Sequence, residues 1–130
     1  RKSDRPLQYT GIDLFESRPA ASPGIRLKQA HRLLTGCGVR IRLVPGGPAE
    51  ALARTANSLM RVDLLIVGNG VDGESMREAW KFVPRMLHNG SDVFVWETRR
   101  ENRAAGFRRL GFDVVNALAL QAERRDRSAA

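Results

Sequence analysis

Cysteine is nearly absent. The chain has one, Cys37, in 130 residues, so no disulfide can form within it. Burial and hydrogen bonding must hold the fold, and the composition suits a reducing cytoplasm. Cys37 lies in the turn signal Thr35-Gly36-Cys37-Gly38, with no His or Lys beside it to lower its pKa. Aromatics are also scarce, at 6%. That argues against a stacking platform for single-stranded nucleic acid. No apolar run approaches the roughly 18 residues of a membrane helix. Charges open the chain at Arg1–Pro6 with no apolar run behind them, so no signal peptide is expected there. There are two histidines, His31 and His88, far apart in sequence. No His/Cys/acid cluster has metal-ligand spacing, so no metal site is expected. Neither a Gly-x-Ser-x-Gly elbow nor a phosphate-loop lysine motif is present, and there is no internal repeat or linker.

What is present is ordinary for a globular protein: 42% hydrophobic and 28% charged residues. The length suits one domain and one core. We therefore expect a single domain over 1–130, with 1–8 and 121–130 frayed. The lack of an initiating Met leads us to expect a fragment of a longer chain. Net charge is +8, with 19 Arg against 3 Lys. The flanks carry most of it: +4 over 1–35, +1 over 36–96 and +3 over 97–130. The charge permits an acidic partner, nucleic acid included, and nothing beyond the charge supports one. Acids are interspersed in both basic stretches, Arg99 to Arg109 and Glu123 to Arg127, which reads as a solvated face.

The patterning alternates. Tyr9–Phe15 reads as a strand, and Pro19, Pro23 and Gly24 as a loop. Ile25–Leu34 reads as a helix, with Leu27, Ala30, His31 and Leu34 at helical spacing and Gly36 and Gly38 ending it. Val39–Val44 alternates apolar and basic residues, as an edge strand does. Pro45-Gly46-Gly47 is a turn. Pro48 then opens a helix that carries Leu52, Ala56 and Leu59 and ends near Met60. Val62–Val67 is almost continuously apolar, which predicts a central parallel strand covered on both faces. After a loop over 68–73, Glu74–Leu87 reads as a helix with Met76, Trp80, Val83 and Leu87 on one face, and Pro84 should kink or shorten it. Val93–Trp96 reads as a strand, Asn102–Leu110 as a short helix and Phe112–Leu118 as a last strand. Trp80 and Trp96 read as core.

Such an order predicts an α/β fold with a mostly parallel sheet and right-handed crossovers. Ligands of such sheets bind at the carboxyl ends of the strands. Asp13, Gly46-Gly47, the 68–73 loop and Glu97 should therefore share one rim. Asp13 there could accept two hydrogen bonds from a ribose diol, or it could cap a turn or pair with an arginine. Glu16 is a second candidate. Gly68-x-Gly70-x-x-Gly73 matches the dinucleotide fingerprint between a strand and a helix, with Glu97 placed to hold a ribose of NAD or FAD. Glu74 directly after the last Gly sets negative charge near any phosphate, and a plain tight turn also explains the glycines.

Taken in order, these segments resemble class I S-adenosylmethionine-dependent methyltransferases. Tyr9-Thr10-Gly11-Ile12-Asp13 resembles the family's second strand, whose closing acid binds the cofactor ribose. Val39–Val44 with Pro45-Gly46-Gly47-Pro48 resembles the third strand and its turn. Val62–Val67, Asp72-Gly73-Glu74-Ser75-Met76 and Trp80…Val83-Pro84-Arg85-Met86-Leu87 resemble the fourth strand, its loop and the next helix. The resemblance spans residues 9 to 118. It implies a three-layer Rossmann-like sheet with helices on both faces. It also implies S-adenosylmethionine as cofactor, held by Asp13, Gly46, Gly47, Gly68 and Asn69. Departures accompany it. The family's glycine-rich first strand and helix would precede Tyr9, where only eight residues stand. Gly47 occupies the place of an acid that contacts adenine, and Gly68, Asn69 and Gly70 that of another common acid. The resemblance therefore implies a methyltransferase that is active only when completed by upstream sequence, or a non-catalytic interaction domain with a degenerate site. No catalytic base, methyl acceptor or oligomeric state can be named.

Overall fold

The computed structural model describes residues 7–19, 24–69, 71, 73–97 and 104–129. Strands and helices alternate as the patterning predicts through the first four strands; among the described residues a fifth strand then follows the fourth, and a helix closes the chain. The strands form two small sheets, however, in two compact units, Arg1–Ala51 and Leu52–Ala130. The fold is mixed α/β.

In the first unit β1 (Gln8–Asp13) pairs in parallel with β2 (Arg40–Pro45), in a register running from Gln8 opposite Arg40 to Asp13 opposite Pro45. The first strand ends two residues before the sequence suggests. The chain turns at Leu14, and Phe15 adopts φ 49° at the head of a short 3-10 turn (Phe15–Ser17). A left-handed backbone costs a β-carbon-bearing residue energy. Burial of the Phe15 ring, 6% exposed, opposes that cost.

The helix α1 (Leu27–Thr35) connects the two strands. Its start is capped from both sides: from outside the helix Glu16 Oε1 accepts from the Leu27 N–H at 2.7 Å, and from within it Gln29 Oε1 reaches back to accept from the Arg26 N–H at 3.0 Å. These acceptors satisfy donors that a helix start leaves open. Of the expected apolar stripe, Ala30 is buried and Leu27 and Leu34 are half-buried, whereas His31 is exposed. The Cys37 N–H donates to the Leu34 carbonyl, and Gly38 at φ 70° supplies the left-handed residue that lets the chain leave the helix. The helix α2 (Pro48–Thr55) starts at Pro48 and runs across the boundary between the units. Ala51, Leu52 and Ala56 are buried, but the helix tightens to a 3-10 turn (Ala56–Ser58) well before Met60. There the Leu59 N–H is shared between the Thr55 carbonyl at 3.1 Å and the Ala56 carbonyl at 3.2 Å, and the Ser58 hydroxyl also donates to the Thr55 carbonyl, so the last turn tightens.

In the second unit β3 (Val62–Val67) lies parallel to β4 (Leu87–Glu97), and β5 (Gly106–Leu110) lies antiparallel on the far side of β4. The strand β3 has the predicted bounds but not the predicted place. It is a sheet edge among the described residues, and Leu64 and Ile66 are 52% and 55% exposed. An apolar run marks strand identity and burial tendency; it does not ensure a partner on each side.

Three expectations near the C-terminus are corrected. The single helix over Glu74–Leu87 is instead α3 (Gly73–Arg77) followed by 3-10 turns at Ala79–Phe82 and Pro84–Met86. Pro84 cannot donate to a helical ladder. Of the expected face, Met76, Trp80 and Val83 are buried and Leu87 is half-buried, with Met86 taking the buried place beside it. The helix expected over Asn102–Leu110 is, from Gly106 onward, the strand β5; Asn102 and Arg103 lie outside the described residues. Cross-strand contacts override its helical propensity. Arg108 Nε reaches Glu97 at 2.6 Å and Arg109 reaches Asp92 at 2.7 Å. The Phe107 ring meets Trp96 edge-on, centroids 5.1 Å apart. Trp96, expected in the core, is thus half-buried against an exposed ring.

The strand expected over Phe112–Leu118 and the frayed tail after it are one helix, α4 (Phe112–Ala129). Val115, Ala119 and Ala122 recur at i, i+4 and i+7, and all are buried. The charged end is tied down rather than loose. Asp126 is ion-paired with Lys81, and Arg125 contacts both the Glu78 carboxylate at 3.3 Å and the Arg77 carbonyl at 3.2 Å. The Lys81 hydrogen bond holds the Asp126 pKa below the usual aspartate value.

Candidate functional site

In the first unit the carboxyl tips of β1 and β2 coincide. Asp13 stands opposite Pro45, and the Gly46 N–H donates to the Asp13 carbonyl at 2.9 Å. Gly46 has φ 139°, which a side chain would strain, and the space beside Gly47 where a Cβ would project is open. Fold and register therefore bring together Asp13, Gly46 and Gly47, as the strand-tip rule predicts for neighbouring parallel strands.

The carboxylate of Asp13 is already engaged. It is ion-paired with Arg18, whose side chain is 14% exposed against 45% for Asp13. The same guanidinium donates to the Ile25 carbonyl at 3.3 Å. Of the two readings of Asp13 in the sequence, the arginine pair is the one this geometry displays. Glu16, the second candidate, is used as the cap of α1.

In the second unit Gly68 and Asn69 directly follow β3, and Glu97 ends β4, two residues beyond Val95, the partner of Val67. These three thus stand at one end of that sheet. Glu97 is taken by Arg108. Of the glycine fingerprint, Gly70 lies outside the described residues, as does Asp72. Gly68 has open space around it, and its carbonyl accepts from the Val71 N–H at 3.2 Å. The helix that would present its N-terminus to a pyrophosphate, α3, has only five residues. Its first-turn Glu74 pairs with Arg77 at 3.3 Å. So short a helix aligns few peptide dipoles.

The sequence does not foretell the pairing of His88 with Asp63. His88 Nδ1 accepts from the Gly90 N–H at 3.0 Å, so the neutral ring carries its proton on Nε2, 2.6 Å from the Asp63 carboxylate. The buried Ser91 hydroxyl accepts from the His88 N–H at 2.9 Å and donates to the Val62 carbonyl at 2.5 Å. Ser91 Oγ faces backbone groups rather than the imidazole, so the three residues brace the irregular start of the β3–β4 pairing. They do not form a nucleophilic relay. A separation of 25 residues hides this contact from local patterning.

Among the described residues no group of His, Cys, Asp and Glu could hold a metal ion, and no helix is long and apolar enough to cross a membrane. Cys37 is exposed. Of the basic stretch Arg99 to Arg109, read as a solvated face, Arg108 and Arg109 are ion-paired. Arg99, Arg100 and Arg103 lie outside the described residues. The class that these features define is a mixed α/β protein with parallel pairing in both sheets. No protein-family model, curated protein or solved structure matches the chain.

Proposed function

We propose that the chain is an S-adenosylmethionine-dependent methyltransferase-like domain of Rossmann-like, three-layer kind. On this reading the strand tips of the first unit hold the adenosine part of the cofactor. The observation that carries it is the meeting of Asp13 with Gly46-Gly47 at the carboxyl ends of adjacent parallel strands. Asp13 offers the ribose diol a bidentate acceptor, and Gly46-Gly47 let the backbone come close to the base. Gly68 and Asn69, past β3, belong to the same reading through the family resemblance. Methyl transfer needs mainly an acceptor positioned in line with the sulfonium, so no general base is assigned.

A second reading, a non-catalytic interaction domain that keeps the fold and not the site, is favoured by one specific contact. Arg18 occupies the carboxylate that the ribose would need. Calorimetric titration with S-adenosylhomocysteine separates the two. Binding to the native chain or to an Arg18→Ala variant, abolished by Asp13→Asn, supports a cofactor domain. Silence from both the native chain and Arg18→Ala removes the cofactor reading and leaves the interaction domain.

A further inference from the structure

A groove of about 770 Å³ opens in the first unit beside α1 and β2. Leu27 and Leu43 give it an apolar floor, and Lys28, His31, Arg32 and Thr35 line it along successive turns of the helix. Asp13, Gly46 and Gly47 are not part of it. Its volume lies within the range of small-molecule sites.

The residues lining it include cations and no acid. α1, Leu-Lys-Gln-Ala-His-Arg-Leu-Leu-Thr, contains no acid. Lys28 and Arg32 are four residues apart, so their like charges are neighbours and repel. Neither is ion-paired with another described residue. Of the nearest acids in sequence, Asp13 is paired with Arg18, and Glu16 accepts from the Leu27 N–H, which leaves one carboxylate beside the N-terminal end of α1. The Thr35 hydroxyl donates to the His31 carbonyl at 2.6 Å, so its proton is spent within the helix. The cationic donors lining the groove are therefore Lys28 Nζ and the Arg32 guanidinium, with the His31 ring between them in sequence as a further N–H donor. An arginine fork matches two oxygens of a phosphate, while an ammonium adds a mobile point charge.

We propose that this groove binds a small phosphate monoester with an apolar body. The phosphate lies between Lys28 and Arg32, and the body rests on Leu27 and Leu43. The site is separate from the strand-tip site and does not depend on the methyltransferase reading.

The test is a titration of the full ¹⁵N-labelled chain with phenyl phosphate, followed by amide NMR. Inorganic phosphate and benzyl alcohol supply the charge alone and the ring alone. Shifts should be confined to Leu27–Gly36 and the neighbourhood of Leu43. Phenyl phosphate should bind at least about tenfold more tightly than either part, and Lys28→Ala/Arg32→Ala should lose at least about tenfold. Arg124→Ala, on α4, should bind as the native chain does. Both sets of substitutions are at exposed helix positions where Ala is a good helix former. The proposal is overturned if inorganic phosphate binds as well as phenyl phosphate. It is equally overturned if shifts spread over the basic surfaces of both units, if nothing binds at millimolar concentration, or if the double variant is unaffected.

Discussion

Replacing Arg18 with Ala tests both the stability and the readiness of the strand-tip site. The guanidinium is largely buried and the Asp13 carboxylate is about half exposed. Exposed ion pairs contribute about 0–1 kcal/mol, and breaking a buried one costs about 3–5 kcal/mol. With one partner in each regime, and a second hydrogen bond from Arg18 to the Ile25 carbonyl at 3.3 Å also lost, we expect a loss of about 1–2 kcal/mol. For a chain of this length that lowers the midpoint of thermal unfolding by about 3–8 °C. Stability should be read by chemical denaturation of the native chain, Arg18→Ala, Asp13→Ala and the double variant. The cycle should return a coupling of about 0.5–1.5 kcal/mol. A coupling near zero would refute the claim that this pair holds the turn after β1. Measured in parallel, S-adenosylhomocysteine affinity should rise in Arg18→Ala under the cofactor reading, because the ribose no longer competes with an internal cation. An affinity that falls would show that Arg18 helps the ligand rather than blocks it.

Removing residues 121–130 should destabilise the second unit clearly, since Ala122 is fully buried and Arg125 and Asp126 tie α4 to residues 77–82; an unchanged denaturation midpoint would mean a loose tail. The pH dependence has a definite sign. Asp126 has a folded pKa held below its unfolded value, chiefly by the Lys81 hydrogen bond. Its contribution is therefore complete above the ordinary aspartate range and disappears as pH falls through the depressed value. Asp126→Asn should flatten that acid limb and leave the profile above pH ~6 parallel to the native one, as followed by urea denaturation across pH. Ile66→Lys should cost little stability, at most about 0.5 kcal/mol, because the side chain is more than half exposed. It should also reduce any concentration-dependent light scattering, since charge on an edge strand discourages strand pairing; a large stability loss would show that the face is covered.

Much of the local structure was legible in the residues. The strand Val62–Val67 has the bounds its apolar run predicts, and β2 and α1 begin and end within one or two residues of theirs. Each of these segments has glycine or proline close to at least one end, so local chemistry decides them. The last third was not legible. Phe107–Leu110 is too short for its period to discriminate between helix and strand, and β4 settles it as a strand by pairing. Phe112–Leu118 looks β-rich by itself. Its helical period emerges only when Val115 is set beside Ala119 and Ala122, the last in a stretch whose charge suggests fraying.

The candidate site divides along the same line. Strand-tip logic placed Asp13 with Gly46-Gly47, because parallel neighbours joined by one crossover must end on the same side. Sequence could not decide that Arg18 reaches back to Asp13, that Glu16 caps α1, or that His88 meets Asp63. Each is a contact between side chains on different segments, set by how the backbone turns between them. As far as β3 the sequence by itself determined where strands and helices begin, because glycine, proline and hydrophobic period act over a few residues. Only the tertiary structure decided which carboxylates stay free, because neutralising a charge depends on which cation packing brings within reach.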